Sequence, residues 1–236
     1  MRFESAARTH VGCRRKINED ALLSRADLGI WAVADGMGGH DAGEVASAMV
    51  VESLATVRPG DLHDRVEQAK RIMENVNLRL IAMGGSGPGR RTIGTTTVAV
   101  VADERAFACL WVGDSRVYRT RGGRIVQLTR DHSLVQDLVD SGEIPPEAAA
   151  THPNANVITR AVGVGTALGL DSVEGDIRSG DVFLLASDGL TRLVSDEELQ
   201  HGLQQKDMEA TADQFIETCL ERGAPDNVSL VMLRVV

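Results

Sequence analysis

Three carboxylates stand where an apolar run meets a turn. Asp35 closes Gly29-Ile30-Trp31-Ala32-Val33-Ala34, Asp188 closes Val182-Phe183-Leu184-Leu185-Ala186-Ser187, and Asp226 comes just before Asn227-Val228-Ser229-Leu230-Val231-Met232-Leu233. If these runs are neighbouring strands, with the last antiparallel to the other two, all three acids fall on one edge of the structure. Two like charges about 4 Å apart repel by roughly 4 kcal/mol at an effective dielectric of about 20. Such a cluster is therefore either dispersed in space or neutralised by metal. A lone Asp-Gly is ordinarily a tight turn, but the pattern repeats. Asp188-Gly189 echoes Asp35-Gly36, Asp114 follows Ala108-Cys109-Leu110-Trp111-Val112-Gly113, and Asp20 precedes Ala21-Leu22-Leu23. Acids at so many strand ends favour a metal site over a set of unrelated turns.

The chemistry of such a site follows from its donors. Glycines after Asp35 let the backbone come close to an ion, so the Gly36 carbonyl can join the Asp35 carboxylate as an oxygen ligand. Carboxylate, carbonyl and water oxygens, with no Cys or His cluster at ligand spacing, favour Mg²⁺ or Mn²⁺ over zinc. Two such ions about 3.5 to 4 Å apart can hold a shared hydroxide at neutral pH and clamp a phosphate for in-line attack. Arg14-Arg15-Lys16, just before Asn18-Glu19-Asp20, is ordinarily a solvated face but places a bidentate phosphate donor beside the acids.

Two other chemistries fail on spacing. A thiolate phosphatase needs an arginine five residues after its cysteine, and that position holds Asn18 for Cys13, Asp114 for Cys109 and Ala224 for Cys219. Cys109 inside a strand and Cys219 on an apolar helical face read as buried, and Cys13 is open to either reading. Gly84-Gly85-Ser86-Gly87-Pro88-Gly89-Arg90-Arg91 has P-loop glycine spacing but lacks the Lys-Ser/Thr pair and follows a helical pattern, so it reads as a solvated connector.

The elements that must position these residues are legible in outline. The 236 residues, 43% hydrophobic, suffice for a sizeable core, and 3% aromatic content leaves no stacking platform for single-stranded nucleic acid. A formal charge of -9 repels polyanions, and three scattered cysteines fit a reducing compartment. No signal peptide or span of about 18 apolar residues occurs, so a soluble, cytoplasmic protein is expected. Helices are expected over 42–57 and 64–83, the second with Val66, Ala69, Met73, Val76 and Leu80 on one face. Strands follow over 95–101, 106–112, 116–120 and 124–128, joined tightly enough to imply antiparallel pairing, with Gly122-Gly123 as a hairpin signal. Residues 131–165 lose regular pattern and read as a mobile flap carrying one short helix near 134–139. A capping box at Ser195-Asp196-Glu197-Glu198 opens a further helix, and a last one carries Ala212, Phe215, Ile216 and Cys219 before stopping at Gly223.

In chain order, Arg15 through Asn18-Glu19-Asp20, Val33-Ala34-Asp35-Gly36-Met37-Gly38-Gly39, Ala42-Gly43-Glu44-Val45-Ala46-Ser47, Gly94-Thr95-Thr96, Gly113-Asp114-Ser115-Arg116, Ala186-Ser187-Asp188-Gly189-Leu190 and Asp226-Asn227-Val228-Ser229 form one ordered set. With these motifs the chain resembles the bacterial branch of the metal-dependent protein serine/threonine phosphatases, the PPM family. The resemblance implies an α+β fold: a four-layer α/β/β/α sandwich, its central antiparallel β-sandwich flanked by pairs of antiparallel helices. One catalytic domain would span 1–236, with a flap at about 131–165 near the active site. It implies that Asp35 bridges two metals, Gly36 adds its carbonyl to the second, Asp188 and Asp226 complete the first, and Asp20 supports the second with Glu19 acting through water. Asp114 and Asp188 match positions that hold a third, weaker ion in bacterial members, and Arg15 would grip the phosphate.

The implied activity is hydrolysis of phosphoserine and phosphothreonine by a hydroxide activated between two Mn²⁺ or Mg²⁺ ions, opposing a cellular Ser/Thr kinase. The expected form is a monomer with phosphoprotein partners and no nucleic acid or membrane. One departure is Met37, where animal members carry a histidine proposed as general acid. A metal-held water is the expected proton source, with His40 as an alternative. The remaining histidines, His10, His63, His132, His152 and His201, read as structural or surface residues, although His132 and His152 flank the flap and could touch substrate. Rival readings are a catalytically silent phosphoprotein-binding module, which should have lost metal acids, and a small-phosphomonoester phosphatase, which should have a closed pocket.

Overall fold

The structure, a computed structural model, describes residues 2–38, 42–85 and 92–236. Two antiparallel sheets stack face to face. One runs β1 (Phe3–His10), β11 (Val228–Val235), β10 (Val182–Ala186), β7 (Arg116–Arg121), β8 (Arg124–Gln127). The other runs β2 (Asp20–Arg25), β3 (Ile30–Gly38), β5 (Thr97–Ala102), β6 (Ala106–Val112), β9 (Asp171–Asp176), with β4 (Ile93–Thr95) pairing the end of β3.

Side-chain alternation along the strands builds three apolar layers. On β3, Ile30, Ala32 and Ala34 turn outward and pack with Val50, Leu54, Val66 and Met73 of α1 (Ala42–Leu54) and α2 (Leu62–Gly84). Trp31 and Val33 turn inward to the layer between the sheets, where they join Val98, Cys109, Phe183, Leu185 and Val231. Phe107 and Phe183 meet edge to face across that layer, centroids 4.9 Å apart. Beneath the β10–β11 sheet, Leu184, Leu230 and Met232 pack on Leu199 of α6 (Asp196–Leu203) and on Ala212, Phe215 and Cys219 of α7 (Met208–Glu221). The four-layer arrangement expected from the resemblance is thus the observed one. The capping box is present as well, with Ser195 Oγ accepting from the Glu198 amide and the Glu198 side chain accepting from the Ser195 amide.

Several expectations need correction. Asp35 does not lie on a strand neighbouring those of Asp188 and Asp226: β10 and β11 pair, whereas β3 belongs to the facing sheet. The acids converge across the sandwich, not along one sheet edge. The strands 106–112 and 116–120 do not pair either. Gly113-Asp114-Ser115 carries the chain from β6 in one sheet to β7 in the other. That crossing needs glycine, because Gly113 has φ +111° and a Cβ there would sit 2.5 Å from Thr96 Cβ.

The strand expected over 95–101 is broken at Thr96, whose amide donates to the Asp35 carbonyl at 2.9 Å. The first helix ends at Leu54 instead of 57. Residues 131–165 hold two short helices, α3 (Leu134–Asp140) and α4 (Pro146–Ala149). β1 and the acidic, half-exposed edge strand β9 carry too few apolar residues to be marked by pattern. The connector over 84–91 lies largely outside the described residues.

Candidate active site

The inward alternation that buries Trp31 and Val33 continues to Asp35 at the end of the sandwich. Asp20 is the register partner of Asp35 in the β2–β3 ladder, so both project toward the space between the sheets. From the facing sheet come Ser187 and Asp188, at the junction of β10 with the short helix α5 (Asp188–Thr191), and Asp226, just before β11. The Gly113 crossing delivers Asp114. Hence one end of the structure collects acids from both sheets.

A cleft of about 330 Å³ opens there, lined by Arg15, Glu19, Asp35, Gly36, Asp114, Asp188 and Asp226 among the residues singled out from sequence. Asp20 lies behind that lining. Its Oδ2 accepts from Ser187 Oγ at 3.0 Å, and its buried Oδ1 has no hydrogen-bond partner among the described residues. Larger hollows of about 520 Å³ beside Arg65 and about 620 Å³ between α2 and residues 166–170 lack a convergence of buried carboxylates.

The backbone holding these acids is tightly cross-linked. Glu19 donates its amide to Asn227 Oδ1 at 2.8 Å, and Asn227 Nδ2 donates to the carbonyls of Val11 at 2.9 Å and Ile17 at 3.0 Å. Asn227 thereby fastens the Arg15-bearing segment to β11. Gly36 donates to the Glu19 carbonyl at 3.1 Å, and any Cβ at Gly36 would fall 2.2 Å from the Gly43 carbonyl oxygen. The close approach of α1 to β3 therefore excludes a side chain at Gly36 and leaves its carbonyl beside Asp35.

Electrostatics mark the cleft as a cation site. Desolvation, reinforced by neighbouring acids, raises the Asp35 carboxyl well above its usual range. Burial likewise raises Asp20 to about 7 against hydrogen bonds from Ser229 and Ser187, and Asp114 to about 7 with help from Asp188 and Asp131. Asp188 is also raised, first by burial, with Arg192 opposing. Carboxylates held uncomfortably close are what a bound cation relieves. Among the described residues no group of three Asp, Glu, His or Cys side chains is arranged to hold one metal ion by itself. Mg²⁺-type ions do not require that, since they are held by one or two carboxylates and keep several waters. The all-oxygen donors, the orphaned Asp20 Oδ1 and the raised carboxyls fit two hard divalent ions.

Among the described residues, two arginines reach into the acids. Arg15 Nη2 donates to Asp226 Oδ2 at 2.8 Å with both side chains half-exposed. Arg192 was not singled out from sequence, although its position four residues after Asp188 was a readable signal. Its Nη2 lies 2.8 Å from Asp188 Oδ2 and 3.5 Å from Asp114 Oδ2, and its Nη1 donates to Asn156 Oδ1. Met37, Gly38, Thr96, Asn156 and Ile158 complete the lining.

His40 lies outside the described residues. His132 does not reach the cleft, contrary to expectation. It is buried, its Nδ1 accepts from the Gly113 amide at 3.1 Å, and its Nε2 stands 3.0 Å from Asp171 Oδ2. The Gly113 contact assigns the proton to Nε2. His152 is occupied in a local turn, accepting from the Asn154 amide at 3.1 Å. Cys109 and Cys219 are buried, which pushes both thiols up, Cys219 to about 11.

The family model for protein phosphatase 2C matches residues 13–231. The serine/threonine protein phosphatase PstP of Mycobacterium tuberculosis is 39% identical over 235 residues, covering 98% of this chain and 45% of that protein. The chain thus spans about half the length of that relative. Among solved structures, PppA of Pseudomonas aeruginosa matches with a TM-score of 0.93 at 39% identity, covering 100% of this chain and 99% of that one. The catalytic domain of PstP in complex with two manganese ions matches with a TM-score of 0.88 at 38% identity, covering 100% and 99%.

Proposed function

This chain belongs to the protein phosphatase 2C family, and on that premise we propose that it hydrolyses phosphoserine and phosphothreonine in proteins with two Mn²⁺ or Mg²⁺ ions. The observation that carries this reading is that Asp35, Asp114, Asp188 and Asp226, drawn from both sheets, line one cleft with Asp20 behind them and Arg15 at its mouth.

In this mechanism Asp35, Asp188 and Asp226 would hold the ions, the Gly36 carbonyl would add an oxygen ligand, and Asp20 would support them with Glu19 acting through water. When bound, the ions supply Lewis acidity at the phosphoryl oxygens and lower the pKa of water. Arg15 is half-exposed and, among the described residues, held by Asp226 through a single nitrogen, so its guanidinium can turn to two phosphate oxygens as a fork. Met37 carries no proton to donate, so the leaving alkoxide is protonated from solvent within the cleft. Residues 131–165 act as a flap that brings Asn156 and Ile158 over the substrate.

The full set of acids favours an enzyme over a silent phosphoprotein-binding module. We read residues 1–236 as one catalytic domain acting as a cytoplasmic, monomeric signalling phosphatase opposite a Ser/Thr kinase, apart from nucleic acid and membrane. The net charge of -9 and the free cysteines support that setting, and among the described residues no helix is long and apolar enough to cross a membrane. The test is phosphate release from matched phosphothreonine, phosphoserine and phosphotyrosine peptides and from p-nitrophenyl phosphate. Preference for the first two supports the proposal. Equal rates on phosphotyrosine peptide, or hydrolysis of the small ester alone, contradict it.

A further inference from the structure

Among the described residues lining the cleft, Arg192 is the one cation to which the mechanism gives no task. It follows α5, four residues after Asp188, and its guanidinium is shared three ways. Nη2 faces Asp188 Oδ2 at 2.8 Å and Asp114 Oδ2 at 3.5 Å, while Nη1 donates to Asn156 Oδ1. Asp114 is buried, and Asn156 sits on the exposed segment between α4 and β9. That segment is fixed on the C-terminal side of Asn156. Ser133 and Ile158 form an isolated bridge, as do Thr95 and Val162. A guanidinium keeps its charge at every working pH, and its planar fork suits two acceptors in different directions. Set between two carboxylates, it neutralises them and repels any divalent ion approaching the same pair.

We propose that Arg192 is a positioning residue that acts as the built-in cation of the Asp114–Asp188 pair, excluding a further divalent ion there and pinning Asn156 over the cleft. The inference rests on the two-ion reading above but adds to it. It replaces the third, weaker ion expected at Asp114 and Asp188 with a side chain of the chain itself. The removal of Arg192 should therefore do two things at once: open that acid pair to metal and release the Asn156 segment.

The experiment counts Mn²⁺ bound per full chain by calorimetry and equilibrium dialysis, and measures hydrogen exchange of amides 154–158. Wild type should bind two ions, Arg192→Gln three, and Arg192→Lys, which keeps the charge, two. Exchange at 154–158 should rise roughly tenfold in Arg192→Gln, the size expected for one charge-assisted hydrogen bond. Asn156→Ala should raise exchange similarly while the count stays at two, which keeps the test informative if Arg192→Gln folds poorly. Three ions in the wild type, an unchanged count in folded Arg192→Gln, or unchanged exchange in Asn156→Ala would overturn the proposal. A wild type that binds no Mn²⁺ would instead overturn the two-ion reading on which it rests.

Discussion

Asp20 and Asp35 face each other as register partners across the β2–β3 ladder, two acids side by side at the end of an otherwise apolar interior. Like charges directly opposite in a sheet are destabilising, and Asp20 Oδ1 finds no hydrogen-bond partner among the described residues. The fold is therefore strained by charge where a cation would relieve it. Asp20→Asn keeps the acceptor for Ser187 and removes one charge. Expected in chelator at pH 7.5 is a rise of about 1 kcal/mol, read as roughly 2–4 °C in Tm for a chain of this size. In Mn²⁺ the variant should gain less from the metal than wild type does. A fall in metal-free Tm would count against charge crowding.

Gly113 sets where Asp114 goes. Because φ is +111° and a Cβ would overlap Thr96, Gly113→Ala should cost about 2 kcal/mol or more and reduce phosphatase activity at least tenfold. Urea denaturation and a rate assay on the same sample check both. An undisturbed midpoint would show that the crossing tolerates a side chain.

His132 ties the start of the 131–165 segment to that crossing. Burial lowers its pKa, with Asp171 opposing, so folding requires the neutral ring. The unfolded chain then binds the proton more readily, and stability present above about pH 6.5 is lost as pH falls below it. His132→Gln removes this titration. Wild type should exceed the variant by about 2 kcal/mol at pH 7.5, and the gap should narrow by pH 5.5. A gap that widens on acidification contradicts the assignment.

Alkylation separates the cysteines. Iodoacetamide should modify exposed Cys13 and leave buried Cys109 and Cys219 intact in the folded protein, with no loss of phosphatase rate. Stoichiometric inactivation would reinstate a thiol in the chemistry.

Much of the site was legible because it depends on local rules. Apolar runs of period two end in Asp-Gly, which fixes the inward face of β3 from Trp31 through Val33 to Asp35. The capping box at Ser195 and the α2 face from Val66 to Leu80 are equally local. What escaped depends on partners distant in sequence. Gly113-Asp114-Ser115 looks like a hairpin turn, and nothing nearby says that β7 joins the other sheet. Asn227 works through carbonyls near the N-terminus, and Arg192 through Asn156 on the far side of β9 and β10. β9 is an edge strand whose acidic, half-exposed residues satisfy no core pattern.

The central claim is that the acid cleft hydrolyses phosphothreonine through divalent ions held by Asp35. The most direct measurement is phosphate release from a phosphothreonine peptide by wild type and Asp35→Asn, each with Mn²⁺ and with excess chelator. Turnover only in wild type with Mn²⁺, lost at least a hundredfold in the other three conditions, is the expected result. Turnover that survives chelation, or that persists in Asp35→Asn with Mn²⁺, would contradict it.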